Sequence, residues 1–232
     1  MLSETVNSRP MCTGIPRWKR IFDGTCILVT LPCWLALSIG VLLWVRVVSP
    51  GAIFYRQERI GYRGRRFLML KFRTMKVGVD TACHQRHLER LMEVNCPMTK
   101  LDAVGDPRLI GGGRILRALG LDELPQILNV LRGEMSLVGP RPCTPDEFQH
   151  YEHWQKQRVD AAPGLTGYWQ VNGKNKTTFT EMIKMDIFYA RNMSLRLDLV
   201  IMLRTPPALA AQLLEIGTRT RARDRIDNPI VG

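Results

Sequence analysis

The sequence predicts a mainly helical α+β protein, in which a re-entrant membrane helix precedes a compact cytoplasmic domain of amphipathic helices around a small β-hairpin. Three observations support this prediction. Residues 25–45 form a run of 21 residues without a charged side chain. Two short apolar-rich stretches follow it, separated by a glycine-containing turn. Several segments further along the chain carry the residues that typically begin and end helices.

The hydrophobic run would be about 32 Å long as a straight helix, enough to cross a bilayer core. Pro32 predicts a kink within it, because proline removes a backbone donor and clashes with the carbonyl four residues earlier. Basic residues flank the run, from Arg17 to Arg20 before it and from Arg46 onward after it. The positive-inside rule favours keeping both flanks in the cytoplasm. A bent helix in one leaflet satisfies this rule, so residues 17–48 are predicted to be re-entrant, with a spanning helix as the alternative.

The elements that follow are predicted from local signals. Residues 52–58 and 66–72 are expected to form the hairpin. A helix is expected over residues 80–95, and another over residues 126–132 that ends at Gly133.

Later segments supply further helices. Thr144 is a good N-cap for a helix with Pro145 at its first position and Glu147 three residues after the cap. Residues 177–193 are predicted to be helical. Residues 194–216 form an amphipathic stretch that Pro206 and its neighbour Pro207 are expected to interrupt.

These elements suggest an order of segments along the chain. We expect a loose tail at 1–16, the membrane helix at 17–48, a cytoplasmic domain at 49–205, and an amphipathic segment and tail at 206–232.

The charge of the chain points to an anionic partner. Its net charge is +12 and its pI is near 9.9, which fits nucleic acid, a membrane surface or phosphorylated substrates. The charge is concentrated, since nine basic residues and a single acidic one lie between Arg46 and Lys76. The six cysteines show no C-x-x-C pair and no zinc-ligand spacing, so they are expected to be reduced thiols.

Asp122 and Glu123 form an acidic pair in this basic chain. Asp122 suits an N-cap position, with Pro125 in the first turn, so a capped surface helix is the structural interpretation. Carboxylates amid positive charge stay ionised, and an ionised carboxylate can attack phosphorus to form an acyl phosphate. A neighbouring carboxylate can hold Mg²⁺. The arginines around the pair are Arg108, Arg114, Arg117, Arg132 and Arg141.

Several ordered motifs resemble those of the monotopic phosphoglycosyl transferases, bacterial sugar transferases that begin polysaccharide and glycoconjugate assembly. The resemblance spans roughly residues 17–205. The motifs are "KRIFD" at 19–23, "SPGAIFYRQERIGYRGRRF" at 49–67, "KFRTM" at 71–75, "DPR" at 106–108, "LDELPQILNVLRGEMSLVGPRP" at 121–142, "PGLTGYWQVNG" at 163–173 and "SLRLDLVIMLRT" at 194–205.

The resemblance implies a specific activity. Members of this family transfer a sugar 1-phosphate from a UDP-sugar to a polyprenyl phosphate such as undecaprenyl phosphate, and they release UMP. The resemblance therefore implies a UDP-sugar donor, a lipid phosphate acceptor, Mg²⁺ as cofactor and contact with membrane lipid. It places the protein at the bacterial inner membrane, with the catalytic domain on the cytoplasmic face. No nucleic-acid partner is expected, and a homodimer stays open, as does the identity of the sugar.

The family's site residues can be assigned by position. Asp122 matches the nucleophile, and Glu123 matches a Mg²⁺ ligand, with Asp122 beside the same metal. Arg117 and Arg141 match phosphate-binding arginines. Lys71 is a further candidate for substrate binding, and so is its neighbour Arg73 in the K-F-R motif.

One departure from the family pattern concerns the helix break. Many relatives have Ser-Pro there, and a serine can satisfy backbone groups that a kink frees. This chain has Leu31 before Pro32, although Thr30 could substitute.

Two other functions stay open from the sequence. A membrane-anchored nucleic-acid-binding protein would explain the charge but not the acidic pair. A non-catalytic scaffold of a polysaccharide assembly complex would keep the fold without the chemistry.

Overall fold

The structure, a computed structural model, describes residues 15–76, 108–173 and 176–227. The helices are α1 (Arg17–Val48), α2 (Gly113–Ala118), α3 (Gln126–Arg132), α4 (Pro145–Gln149), α5 (Tyr168–Asn172), α6 (Phe179–Asn192) and α7 (Leu195–Asp227). The strands are β1 (Phe54–Ile60), β2 (Arg66–Phe72), β3 (Ser136–Val138) and β4 (Gly164–Thr166). The predicted mainly helical α+β class is confirmed. The helix expected at residues 80–95 lies outside the described residues.

Helix α1 contains the hydrophobic run and is long and apolar enough to cross a membrane. It continues as one helix through Pro32. Side chains bind carbonyl groups in the turn before the proline: Thr30 Oγ1 donates to the oxygen of Cys26 at 2.7 Å, and Trp34 Nε1 donates to that of Ile27 at 3.3 Å. Thr30 therefore bonds to a carbonyl in this turn, but the carbonyl that Pro32 leaves without its usual donor is that of Leu28. That Thr30 substitutes for the family's serine stays a prediction.

Both ends of α1 pack on the same domain. Ile27, near the beginning, joins a buried cluster with residues of β2 and α3. Val41 and Val45, near the end, join a second cluster with Phe72 of β2. The residues between them, 28–40, are exposed except for two half-buried side chains. The apolar middle of the helix thus stands clear of the domain while both of its ends return to it.

Strands β1 and β2 form the predicted antiparallel hairpin. Phe54 pairs with Phe72 at its open end, and Ile60 pairs with Arg66 beside the turn. The turn is a short 3₁₀ segment in which Gly64 has a φ of 75°, a left-handed conformation that glycine adopts without strain.

A second, parallel pair of strands was not predicted. Ser136 of β3 pairs with Gly164 of β4, at two segments where the sequence analysis expected no strand. The backbones approach so closely there that a Cβ atom on Gly139 would lie 2.1 Å from the carbonyl oxygen of Ala162. The glycines of this segment are required because any side chain would force the two backbones apart.

The helix boundaries agree with the sequence in two places and differ in a third. α3 ends at Gly133, whose φ is 81°. The capping box of Thr144 and Glu147 begins α4 as predicted. The interruption expected at Pro206 is wrong, because α7 continues through both prolines. Each proline lacks the N–H that would bind the carbonyl four residues earlier, and for Pro207 that carbonyl belongs to Leu203. Leu203 is exposed, so the cost of continuing the helix is reduced.

A buried polar network joins α1 to the two last helices. Lys19 Nζ donates to the hydroxyl of Tyr189 at 2.8 Å and to a carboxylate oxygen of Asp198 at 2.5 Å. All three side chains are fully buried. Since a buried charge that loses its partner is costly, this network holds the base of the membrane helix against α6 and α7.

We expect Asp198→Ala to lower the free energy of unfolding by about 3–5 kcal/mol, because it leaves the Lys19 ammonium buried without its counter-ion. Thermal or denaturant unfolding of the detergent-solubilised protein measures the change. Glu58→Ala is the matched control, since Glu58 is largely exposed and its ion pair with Arg66 is 3.4 Å long. Equal losses in the two variants would contradict the importance of burial.

Candidate active site

Asp122 and Glu123 lie in a 3₁₀ turn, Leu121–Glu123, between α2 and α3. Gly120 leads into the turn with a φ of 69°. The expected N-cap role of Asp122 is wrong, because Pro125 is the residue that precedes the first residue of α3. The turn is already helical in its hydrogen bonding, with the amide of Glu123 donating to the oxygen of Gly120 at 3.1 Å. Asp122 therefore sits inside the turn, and it is buried.

Lys71 meets the acidic pair from the hairpin. Its Nζ donates to Oε1 of Glu123 at 2.8 Å, although the two residues are 52 positions apart in the chain. Both side chains are partly exposed, at 23% for Lys71 and 36% for Glu123. A partly exposed ion pair contributes little free energy, so a bound phosphate or cation can take up either partner at small cost. The structure thus brings together two of the residues that the sequence assigned to the site.

Arg117 lies in the last turn of α2, and that helix contacts the turn that carries Asp122. Its side chain is half-buried. The sequence placed Arg117 near the acidic pair, and in the structure Leu119 and Gly120 separate its helix from the turn that carries the pair.

Arg73 makes contacts of another kind. Its Nη2 donates to the backbone oxygens of Ser49 at 3.0 Å and Pro50 at 2.8 Å, and to the hydroxyl of Ser49 at 3.1 Å. The side chain is buried. These bonds fasten the end of α1 to the end of β2, which is a structural task. Substrate binding by Arg73 stays a prediction of the family pattern.

Asn129 is a residue of this region that sequence reasoning missed. It lies on α3 and is fully buried. Its Oδ1 accepts from the amide of Leu70 at 3.1 Å, and its Nδ2 donates to the oxygen of Leu68 at 2.8 Å. The signal in the sequence was the pair of polar residues, Gln126 and Asn129, spaced three apart on what becomes the buried face of the helix.

Arg141 belongs to a second cluster, built around Glu147. Arg141 Nη1 donates to Oε1 of Glu147 at 2.9 Å, and Arg59 Nη1 lies 4.0 Å from the other carboxylate oxygen. Arg158 donates to the backbone oxygen of Arg141 at 2.8 Å and pairs with buried Asp186. About a quarter of the Arg141 side chain stays exposed, which leaves it able to meet an anion.

The charges of this cluster shift the protonation of its carboxylate. Burial alone would raise the pKa of Glu147, but the guanidinium groups of Arg141 and Arg59 outweigh it and hold that pKa below its usual value. Glu147 is therefore ionised at neutral pH and fixes the direction of the Arg141 side chain.

The acidic pair is the candidate site for Mg²⁺. Among the described residues there is no group of three or more His, Cys, Asp or Glu side chains that could hold a metal ion. Mg²⁺, however, is usually bound through one or two carboxylates together with substrate phosphates and water. Asp122 and Glu123 fit a metal whose coordination a bound diphosphate completes, not a cage made by the protein alone.

The chain belongs to the bacterial sugar transferase family, whose sequence model matches residues 15–212. It is 39% identical over 198 residues to the exopolysaccharide production protein ExoY of Rhizobium meliloti, covering 82% of this chain and 84% of that protein. It is 36% identical over 194 residues to the undecaprenyl-phosphate galactose phosphotransferase of Salmonella typhimurium, covering 81% of this chain and 39% of that one. It is 40% identical over 190 residues to the UDP-glucose:undecaprenyl-phosphate glucose-1-phosphate transferase of Xanthomonas campestris, covering 78% and 35%.

The lowered pKa of Glu147 predicts how its contribution to stability depends on pH. The contribution is fully present above the usual pKa of 4.5 and is lost as the pH falls through the lower pKa of the folded state. We expect Glu147→Gln to cost about 2 kcal/mol at pH 7. That difference should stay constant down to about pH 4.5 and shrink below it. Urea unfolding of both proteins across this range measures it, and a difference that grows on acidification would contradict the assignment.

Proposed function

We propose that the protein transfers a sugar 1-phosphate from a UDP-sugar to undecaprenyl phosphate and releases UMP, in exopolysaccharide or glycoconjugate biosynthesis. The observation that carries this proposal is the acidic pair, whose Glu123 binds Lys71 at 2.8 Å. Family membership supports it, as do the names of the relatives, two of which are undecaprenyl-phosphate sugar phosphotransferases.

In the first step, a carboxylate oxygen of Asp122 attacks the β-phosphorus of the donor. A bond forms between that oxygen and phosphorus, and the bond from phosphorus to the bridging oxygen breaks, so that UMP leaves with the electron pair. In the second step, a phosphate oxygen of undecaprenyl phosphate attacks the same phosphorus. The acyl phosphate bond breaks, Asp122 regains its carboxylate, and the product is a polyprenyl diphosphate sugar. A carboxylate nucleophile carries no proton that must be removed, so the proposed step needs no base.

The cationic groups stabilise the negative charge on the transferring phosphoryl group. Lys71 stands beside the pair, Arg117 approaches from α2, and the partly exposed Arg141 is held in place by Glu147. Glu123, with Asp122 beside it, would hold Mg²⁺, which offsets charge on the donor diphosphate when it is bound.

The acceptor is a lipid, and the fold suits a site at a membrane surface. Both ends of α1 pack on one domain while residues 28–40 are exposed, which supports a helix that enters and leaves the same leaflet. Apolar side chains are also exposed on both sides of the acidic pair: Ile115, Leu119, Leu128 and Leu131. We place the domain on the cytoplasmic face of the bacterial inner membrane, where UDP-sugars are available.

UMP release from a panel of UDP-sugars, with undecaprenyl phosphate and Mg²⁺, tests the activity. We expect release with at least one donor, loss of release with EDTA, and a fall below roughly one-thousandth of the wild-type rate in Asp122→Asn. Asp160→Asn is the matched control, because Asp160 is an exposed carboxylate outside the site and should leave the rate unchanged.

Different failures would exclude different parts of the proposal. Release that Asp122→Asn does not affect would keep the activity and exclude the covalent intermediate. No release with any donor would favour a scaffold, and salt-dependent binding of DNA in that case would favour the nucleic-acid alternative.

The re-entrant geometry predicts that both ends of α1 face the cytoplasm. Single cysteines replacing exposed Arg17 and Val47 in a cysteine-free background should both react with an impermeant maleimide in inside-out vesicles, and neither should react in intact cells freed of their outer membrane. Labelling of the two positions from opposite sides would show a spanning helix instead.

A further inference from the structure

Among the described residues no further strand pairs with the outer edge of β2, and the side chain of Asn129 binds part of that edge. An edge strand leaves a row of backbone N–H and C=O groups without partners. Asn129 satisfies one of each, accepting from the amide of Leu70 and donating to the oxygen of Leu68. The second N–H of its amide has an acceptor too, Oε2 of Glu134 at 2.6 Å. The Asn129 amide is therefore fixed in one orientation on a fully buried side chain.

This contact links the two segments that supply the charged residues of the candidate active site. Asp122 and Glu123 precede α3, which carries Asn129. Asn129 holds β2 at Leu70, and the next residue of β2 is Lys71, whose ammonium returns to Glu123 at 2.8 Å. Besides the apolar packing of Phe67 and Met69 on α3, the Asn129 amide thus joins the strand that supplies Lys71 to the helix that follows the carboxylates.

We propose that Asn129 is a positioning residue of the active site, which sets where Lys71 stands against Glu123 and Asp122. The claim that Asn129 positions Lys71 rests on these contacts alone, whereas the claim that Asn129 affects catalysis rests on the proposed function. Two-stranded hairpins are only marginally stable by themselves, so the edge of β2 needs such a fixed partner. A misplacement of about 1 Å in a catalytic group can lower the rate on the order of 100-fold.

The first test does not depend on activity. Lys71 is partly exposed and ion-paired, so its rate of acylation by an N-hydroxysuccinimide ester, followed by mass spectrometry, reports how well it is held. We expect Asn129→Leu, which removes all three hydrogen bonds at similar volume, to raise the rate at Lys71 several-fold. The exposed Lys156 of the same protein is the internal reference and should not change.

The second test asks whether Asn129 acts through Lys71. We expect Asn129→Leu to lower kcat for UMP release on the order of 100-fold. In a Lys71→Met background, where that group is already lost, the same change should cost less than about twofold, since effects carried by one group are not additive. Tyr189→Phe is the control, because it removes hydrogen bonds from the buried network beneath α1. It should lower the melting temperature, and it should change kcat by the same factor in the wild-type and Lys71→Met backgrounds.

A third variant gives a signature that a loss of stability would not produce. In Asn129→Asp, a neutral carboxyl group can still donate to the oxygen of Leu68 and accept from the amide of Leu70. The ionised form cannot donate, and it faces the carboxylate of Glu134. The ratio of its kcat to that of the wild type should rise as the pH is lowered from 8 to 6, and this rise should vanish in the Lys71→Met background. Should Asn129→Leu fail to fold, this variant supplies the same comparison within one protein.

The outcomes separate the two proposals. Unchanged acylation of Lys71 in a folded Asn129 variant would overturn the positioning role, whatever the activity. The positioning role would also be overturned if an Asn129 variant lowered kcat by the same factor in the Lys71→Met background as in the wild type. An absence of UMP release from the wild type would sink the proposed function, while the acylation rates would still decide the placement of Lys71.

Discussion

The fastening of both ends of α1 to one domain is the constraint on which the rest of the structure depends. An apolar helix of this length is not stabilised by exposure to water, and its middle part gains little from the domain, because residues 28–40 are exposed except for two half-buried side chains, one of them Trp34. Its position is set by buried polar contacts at its ends. Lys19 binds Tyr189 and Asp198 at the beginning, and Arg73 binds the backbone just after its end.

Local signals in the sequence predicted the elements that local chemistry determines. Gly133 ends α3 because the chain needs a left-handed residue there, and the Thr144 capping box begins α4 through its own hydrogen bonds. The sequence could not reveal the pairing of β3 with β4, since each strand has three residues and the two strands are distant from each other in the chain. The sequence also misled about Asp122, which looked like an N-cap because an aspartate side chain can accept hydrogen bonds from the first backbone amides of a helix. In the structure Gly120 lets the helical turn begin before Asp122.

The candidate site was predictable in its members but not in their arrangement. From the sequence, Arg73 and Arg141 were both expected to bind substrate. In the structure Arg73 fastens the end of α1, whereas Arg141 is partly exposed and is held by a buried glutamate. Which task an arginine performs depends on the groups that surround it after folding, and those come from other segments. Asn129 was overlooked because the spacing of two polar residues on one helix face does not reveal their partners, which for Asn129 are backbone groups of a strand some sixty residues earlier.

The hairpin is the element that relates the two charged clusters. Lys71 lies opposite Tyr55 near the open end of the hairpin, and Arg59 lies opposite Phe67 near the turn. Positions 55 and 59 point to the same face and are separated by about 13 Å at 3.3 Å per residue. One end of this face reaches Glu123 through Lys71, and the other reaches the cluster of Glu147 and Arg141 through Arg59. Both clusters are mounted on one hydrogen-bonded ladder, so a shift of the hairpin against α3 would change the distance between the acidic pair and its cations. The buried amide of Asn129 opposes that shift together with the apolar packing of Phe67 and Met69 on α3.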